Sequence, residues 1–148
     1  MTPDFANERR ARLLAIPGQL ANINKQLVAM RAERDGKKKE LERRETYVRQ
    51  GSRMRDSYKQ LKSEAERSDY LKVQVYEDIE YEGIQERLEQ ISVQIDKLTF
   101  EKDSLEHERK ALYAALTSYA AETLEGALAR LEKALGMSRE ALGGRHLS

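Results

Sequence analysis

Residues 84–98 have the sequence IQERLEQISVQIDKL, and this stretch decides the fold. Its apolar residues are separated alternately by four and three positions, at Ile84, Leu88, Ile91, Ile95 and Leu98. That spacing puts them on one face of an α-helix and is the heptad pattern of coiled coils. The same face continues through Leu105, Leu112, Leu116 and Tyr119. The pattern predicts a helical arm with about five heptads of apolar seam.

A second heptad pattern comes earlier in the chain, at Leu20, Ile23, Leu27 and Met30. It lapses in the charged stretch 31–40 and resumes with Leu41, Tyr47, Met54, Tyr58, Leu61 and Ala65. Asp35-Gly36 is compatible with a turn, but the Glu, Lys and Arg residues around it favour a helix. We therefore predict one helix from Pro17 to Ser68, weakened near Gly36 and Gly51.

The segments around the two arms complete the predicted architecture. Proline is tolerated at the start of a helix but not inside one, so Pro17 should begin the main helix, after a lead-in (1–16) with a short helix over 7–15. Residues 68–83 should form the tip of a hairpin (17–121), helical in part, although the alternation around Val73 and Val75 is also compatible with a short strand. Residues 122–148 should hold an amphipathic helix stopped at Gly136, a last turn capped by Ser138, and a loose tail.

These patterns together define the fold class that we expect. It is all-α: a long antiparallel coiled-coil helical hairpin with a short N-terminal helix and a C-terminal amphipathic helix. The composition agrees, because 36% of the 148 residues are charged and the chain has two phenylalanines and no tryptophan. Such a chain suits a narrow seam between helices better than a globular core.

The composition also excludes several functions. No cysteine is present, which excludes disulfides, thiolate metal sites and cysteine nucleophiles. The N-terminus has no signal-peptide pattern, and the apolar runs, such as Leu13 to Ile16, are far shorter than the roughly 20 residues of a membrane span. We expect a soluble cytoplasmic protein without cofactors.

The histidines do not suggest a catalytic or metal site. His107-Glu108 lacks a second histidine four residues later, where Ala111 stands, and Ser104 occupies the position that a di-iron motif fills with glutamate. His146 follows two glycines near the C-terminus. Most carboxylates alternate with Lys and Arg at helical spacing, which is typical of a solvated helix face. We therefore predict that the protein is not an enzyme.

Charge is distributed unevenly along the chain and supports two interpretations. Residues 1–68 contain 17 Lys/Arg and 10 Asp/Glu, whereas residues 69–148 contain 10 and 16. On one continuous helix, five basic residues would fall within about 60° of one another and could follow a nucleic-acid backbone: Lys37, Arg44, Arg55, Lys59 and Lys62. The favoured interpretation is that the basic arm pairs with acidic residues of the second arm (Glu77, Glu80, Glu82, Glu86 and Glu89).

Apolar and tyrosine residues outside the predicted seam suggest a surface that binds other proteins. The candidates at the tip are Tyr70, Val73, Tyr76, Ile79 and Tyr81, and those in the C-terminal helix are Leu128, Leu131 and Leu135. Because a two-helix core is small, we expect the chain to self-associate as a dimer or larger species. The expected partners are a second copy and a larger protein, with nucleic acid as the alternative and no membrane.

Leu61-Lys-Ser-Glu-Ala-Glu-Arg67, followed by Glu80-Tyr81 and then a heptad arm, resembles small helical-hairpin proteins encoded by bacteriophages and mobile elements. The resemblance covers residues 61–112. It implies a helical hairpin and, because some such proteins lie among recombination or defence genes, an accessory role; it implies no site residues. In length and architecture the chain is also similar to rod-like export chaperones of the flagellar type.

Overall fold

The computed structural model describes residues 1–136, which form four helices: α1 (Pro3–Arg53), α2 (Asp56–Lys59), α3 (Glu64–Tyr76) and α4 (Ile79–Ala134). No strand occurs among these residues. The all-α class and the pairing of two long helices, α1 and α4, are confirmed. The chain divides into two compact units, Met1–Leu20 with Asp103–Ser148 (unit 1) and Ala21–Lys102 (unit 2).

Unit 2 is held by an apolar seam between α1 and α4. Ile23 and Leu27 of α1 and Ile91 and Ile95 of α4 are all buried. Glu33 pairs with Arg87, and Arg44, further along α1, pairs with the earlier Asp78, so the two helices run antiparallel. Removing these four side chains from water supplies about 1.5–3 kcal/mol each. The seam predicted for α4 is confirmed.

The α1 seam differs from the prediction after Met30. Half-buried or buried residues continue at spacings of three and four through Arg34, Lys37, Leu41, Arg44, Val48 and Ser52. Tyr47 and Met54, which the sequence pattern put on the seam, are 66% and 78% exposed. Arginine and lysine can occupy seam positions because their aliphatic stems pack against apolar neighbours while the charged ends reach water. Counting heptads without regard to polarity would have found this face.

Unit 1 combines a few buried apolar side chains with an ion pair. Ala6 and Ile16 of α1 are buried. Arg12 donates two hydrogen bonds to the Glu108 carboxylate of α4, of 2.6 and 2.8 Å. This bidentate geometry fixes both the distance and the orientation of the two side chains.

Pro17 lies inside α1, so the predicted short N-terminal helix and the helix start at Pro17 are both wrong. Proline lacks the amide that would bond to the Leu13 carbonyl, and a proline in a helix interior costs about 3 kcal/mol. The fully buried Ile16, directly before it, offsets part of that cost. The sequence rule assumed an isolated helix, whereas here tertiary packing holds the helix through the proline.

The first long helix also ends earlier than predicted, at Arg53 instead of Ser68. Its last residues follow Gly51, where a weakening was expected. Arg55 then contacts Gln74, and Ser57 contacts Tyr70, so the chain reverses direction over residues 54–63. The Ser63 hydroxyl accepts the backbone N–H of Glu66 and caps α3, which fixes where the returning helix begins.

Residues 68–83, predicted as the tip, lie in α3, a short turn at 77–78 and the start of α4. They are helical in part, as predicted, and the strand alternative is wrong. The predicted separate C-terminal helix is also wrong, because Leu124–Leu131 continue α4 without a break. Gly136 follows its end with φ +65°, which confirms the predicted stop. The positions of Ser138 and of the tail lie outside the described residues.

We predict that Ile91→Ala lowers the free energy of unfolding by about 2–5 kcal/mol, because it leaves a cavity at a fully buried seam position. Val93→Ala, two residues away and 49% exposed, is the matched control and should cost less than about 1 kcal/mol. Chemical denaturation followed by circular dichroism measures both values. Equal losses in the two variants would show that the seam does not carry the stability.

Candidate functional site

A groove in unit 2 lies where α1 ends and α4 begins. It has a volume of about 600 Å³ and is open to solvent. Tyr47, Met54 and Arg55 line one side, and Gln74 and Asp78 line the other. It exists because the helix break after Arg53 and the turn at 77–78 leave a gap that no side chain fills.

Two residues in the lining of this groove, Arg44 and Asp78, form an ion pair. Arg44 donates hydrogen bonds of 2.8 and 2.9 Å to the two carboxylate oxygens of Asp78, and another of its nitrogens lies 2.8 Å from Glu80. Asp78 precedes the first residue of α4 and accepts the backbone N–H of Tyr81 at 2.9 Å. The carboxylate therefore caps α4 and attaches it to α1 at once.

The protonation equilibria of this pair are shifted by their contact. The hydrogen bond from Arg44 is the main reason that the pKa of Asp78 lies below its ordinary value, while desolvation acts in the opposite direction. The same bond raises the pKa of Arg44. In unit 1 the Arg12 hydrogen bond likewise lowers the pKa of Glu108. Shifts in these directions mean that the charged form of each partner is favoured, as in structural ion pairs.

The predicted partner-binding residues differ in how much of their surface is available. Tyr76 and Ile79, on either side of the 77–78 turn, are 81% and 84% exposed. Val73 is also exposed, whereas Tyr81 is half-buried. Tyr70 has partners within the chain: its hydroxyl lies 2.8 Å from the Ser57 hydroxyl, and its ring packs against Tyr58.

Two residues that the sequence pattern put on the seam are exposed in the groove instead. Tyr47 and Met54 line the groove, and the Arg44 guanidinium lies 4.9 Å from the centre of the Tyr47 ring. We call Val73, Tyr76 and Ile79 the tip surface. The predicted C-terminal candidates, Leu128, Leu131 and Leu135, are exposed as well, in unit 1.

The five basic residues proposed for nucleic acid do not form one stripe. Lys37 bonds to Glu40, Arg44 to Asp78, and Arg55 to Gln74. Lys59 and Lys62 come after the end of α1, so the rotation that aligned all five on a single helix does not apply. Pairing between the basic and acidic arms is observed instead at Arg44 and Glu80.

No metal-ligand cluster of histidine and acidic side chains occurs within residues 1–136. His107 is exposed, and its Nδ1 lies 2.9 Å from the backbone oxygen of Asp103, one helical turn earlier. His146 lies outside the described residues. Over the same described range no helix is long and apolar enough to cross a membrane.

Comparisons with protein-family models, with curated proteins and with solved structures give no match to this chain. A function is therefore inferred from the tip surface and from the exposed leucines of unit 1.

We predict that Asp78→Asn lowers the free energy of unfolding by about 1–2 kcal/mol at pH 7, because it removes the charged acceptor of the Arg44 hydrogen bonds but keeps a residue that can cap α4. Glu80→Gln is the matched control: Glu80 also contacts Arg44 but is 70% exposed, so its loss should be smaller. Thermal unfolding followed by circular dichroism compares the three proteins.

The lowered pKa of the carboxylate determines how the effect of the substitution on stability depends on pH. A lowered pKa in the folded state means that the carboxylate stabilises the fold above its unfolded pKa of about 3.9, and that this contribution is lost as the pH falls through the folded value. The difference between wild type and Asp78→Asn should thus be constant from pH 7 to 5 and shrink below about pH 4. A difference independent of pH down to 2 would contradict the ion pair.

Proposed function

We propose that the protein is a non-enzymatic coiled-coil interaction protein that self-associates and binds, or blocks, a larger protein partner. The observation that carries this proposal is the tip surface, where Tyr76 and Ile79 expose more than four-fifths of their area. Single exposed apolar side chains are ordinary, but groups of large ones mark interaction sites.

The energetics of this surface suit partner binding. Covering one such side chain supplies about 1.5–3 kcal/mol, so two of them can act as binding hot spots. The groove that Met54 lines offers a concave surface, and the flexible thioether of this exposed side chain adapts to different partners. The Arg44–Asp78 pair, in the lining of the groove, holds α1 and the start of α4 in register and preorganises it.

The pKa shifts of Arg44 and Asp78 arise within a satisfied ion pair, which supports a structural role for these groups. We place the protein in the cytoplasm, and its resemblance to phage and mobile-element hairpins favours an accessory role in that setting.

We predict that Tyr76→Ser with Ile79→Ser weakens partner binding at least tenfold, since about 1.4 kcal/mol of lost interaction corresponds to that factor. A photo-cross-linking amino acid placed at residue 76 in cells should form an adduct with a discrete protein. Val28, which is 67% exposed on α1 outside the tip surface, supplies the control position. Identical adducts from positions 76 and 28, or none from position 76, would contradict the proposal.

Nucleic-acid binding is the second candidate, and it depends on the exposed Lys59 and Lys62. Charge reversal at Arg44 cannot test it, because that change also breaks the bond to Asp78. Lys59→Glu with Lys62→Glu leaves the described ion pairs intact. We expect neither wild type nor variant to retain a mixed DNA duplex at 150 mM salt. Retention by wild type that weakens steeply with salt and is lost in the variant would establish the alternative.

A further inference from the structure

A second apolar stripe follows α4 in unit 1, on a different face from the seam. From Ala120 to Leu131 every residue is exposed. Leu124, Leu128, Leu131 and Leu135 are exposed by between 40% and 62% and are separated by four, three and four positions. At about 100° per residue, this stripe is centred roughly 100° away from the face of Leu112, Leu116 and Tyr119. It cannot therefore be a continuation of the same seam.

The stripe continues towards the start of unit 1. Tyr113 is 66% exposed and lies on the same face as Leu131, with Thr117 and Ala120 between Tyr113 and Leu124 at heptad-like spacing. Tyr113 also lines an open, mostly apolar groove of about 460 Å³, together with Leu13, Pro17, Arg109 and Lys110. One face of α4 thus joins a groove at residue 113 to a row of leucines ending at 135.

We propose that this face is the interface for a second copy of the chain, in which the two α4 helices pair antiparallel and the leucines of each copy fill the groove of the other. This inference deepens the proposed self-association by giving it a site and an orientation. Tyr113 to Leu135 covers 23 residues, or about 34 Å of helix at 1.5 Å per residue, which is enough for three heptads of contact.

Charge favours the antiparallel orientation. Arg109 and Lys110 border the groove, whereas Glu125 flanks the row of leucines. Parallel pairing in register would set the basic pair of one copy beside the same pair of the other. Antiparallel pairing separates these like charges and brings an apolar row onto an apolar groove. The small side chains of Ala120 and Ala121 fall near the proposed two-fold axis, where the helices can approach closely.

Because a two-fold interface presents the same patch on both copies, one substitution acts twice. We expect the wild-type chain, of 17.1 kDa, to scatter light as a species of twice that mass. Leu128→Glu should convert it to a monomer. Ala129→Glu, at an exposed position in the same helical turn but on another face, should leave the mass unchanged. Equal effects of the two substitutions would overturn the assignment of this face.

The absence of cysteine makes orientation directly measurable. Tyr113→Cys and Leu128→Cys are made separately, mixed in equal amounts and oxidised. Antiparallel pairing predicts a disulfide between one chain of each variant, formed at least tenfold faster than the dimer of either variant alone. Faster formation of the single-variant disulfides would overturn the orientation. A monomeric wild type would overturn self-association itself, whereas a dimer that forms neither kind of disulfide would overturn this interface alone.

Discussion

A narrow apolar seam between two long helices is the constraint on which the structure depends. A two-helix seam buries about two residues in every seven, since each helix presents only one stripe to its partner. In unit 2 this gives a core built from Ile23, Leu27, Ile91 and Ile95 with Leu71 and Val75 of α3. With so little buried area, side chains at the margins of the seam must contribute, and ion pairs between α1 and α4 are found there.

Arginine has an unusual share in this arrangement. Arg12, Arg44 and Arg87 each join α1 to α4 through a carboxylate on the opposite helix. Arg34 lies on the seam face itself, where its buried Nε makes no hydrogen bond and stands 3.7 Å from the Asp35 carboxylate. Charged groups at such positions cost desolvation energy but penalise shifted registers, because a one-turn slip separates each pair.

The part of the fold that could be predicted from the sequence is the part whose seam consists of aliphatic residues. Leucine and isoleucine at heptad spacing identified the α4 face from Ile84 to Tyr119 correctly. The α1 face after Met30 was missed because Arg34, Lys37 and Arg44 occupy it, and polarity hides such positions from a search for apolar residues. The predicted helix start at Pro17 was wrong for a related reason. Proline does favour the first position of a helix, but packing around Ile16 overrides this preference.

The candidate site was predictable only in outline. Tyr76 and Ile79 could be singled out because a turn does not require large apolar side chains. Tyr47 and Met54 could not, because the groove that they line exists only where α1 ends at Arg53. No local signal marks this end strongly: Gly51 precedes it, but Gly36 lies within the same helix without ending it.

The order of the contacts along the chain has a consequence for how the protein folds. The partners Ser57 and Tyr70 are 13 residues apart, Arg44 and Asp78 are 34, Glu33 and Arg87 are 54, and Arg12 and Glu108 are 96. Once the first contact has formed, each later one closes only a short additional loop, so the entropy of closure is lost in small steps. Assembly can thus proceed like a zipper from residues 54–63 towards the chain ends. If assembly follows this order, substitutions near the reversal should change mainly the rate of folding, and those near residues 12 and 108 mainly the rate of unfolding.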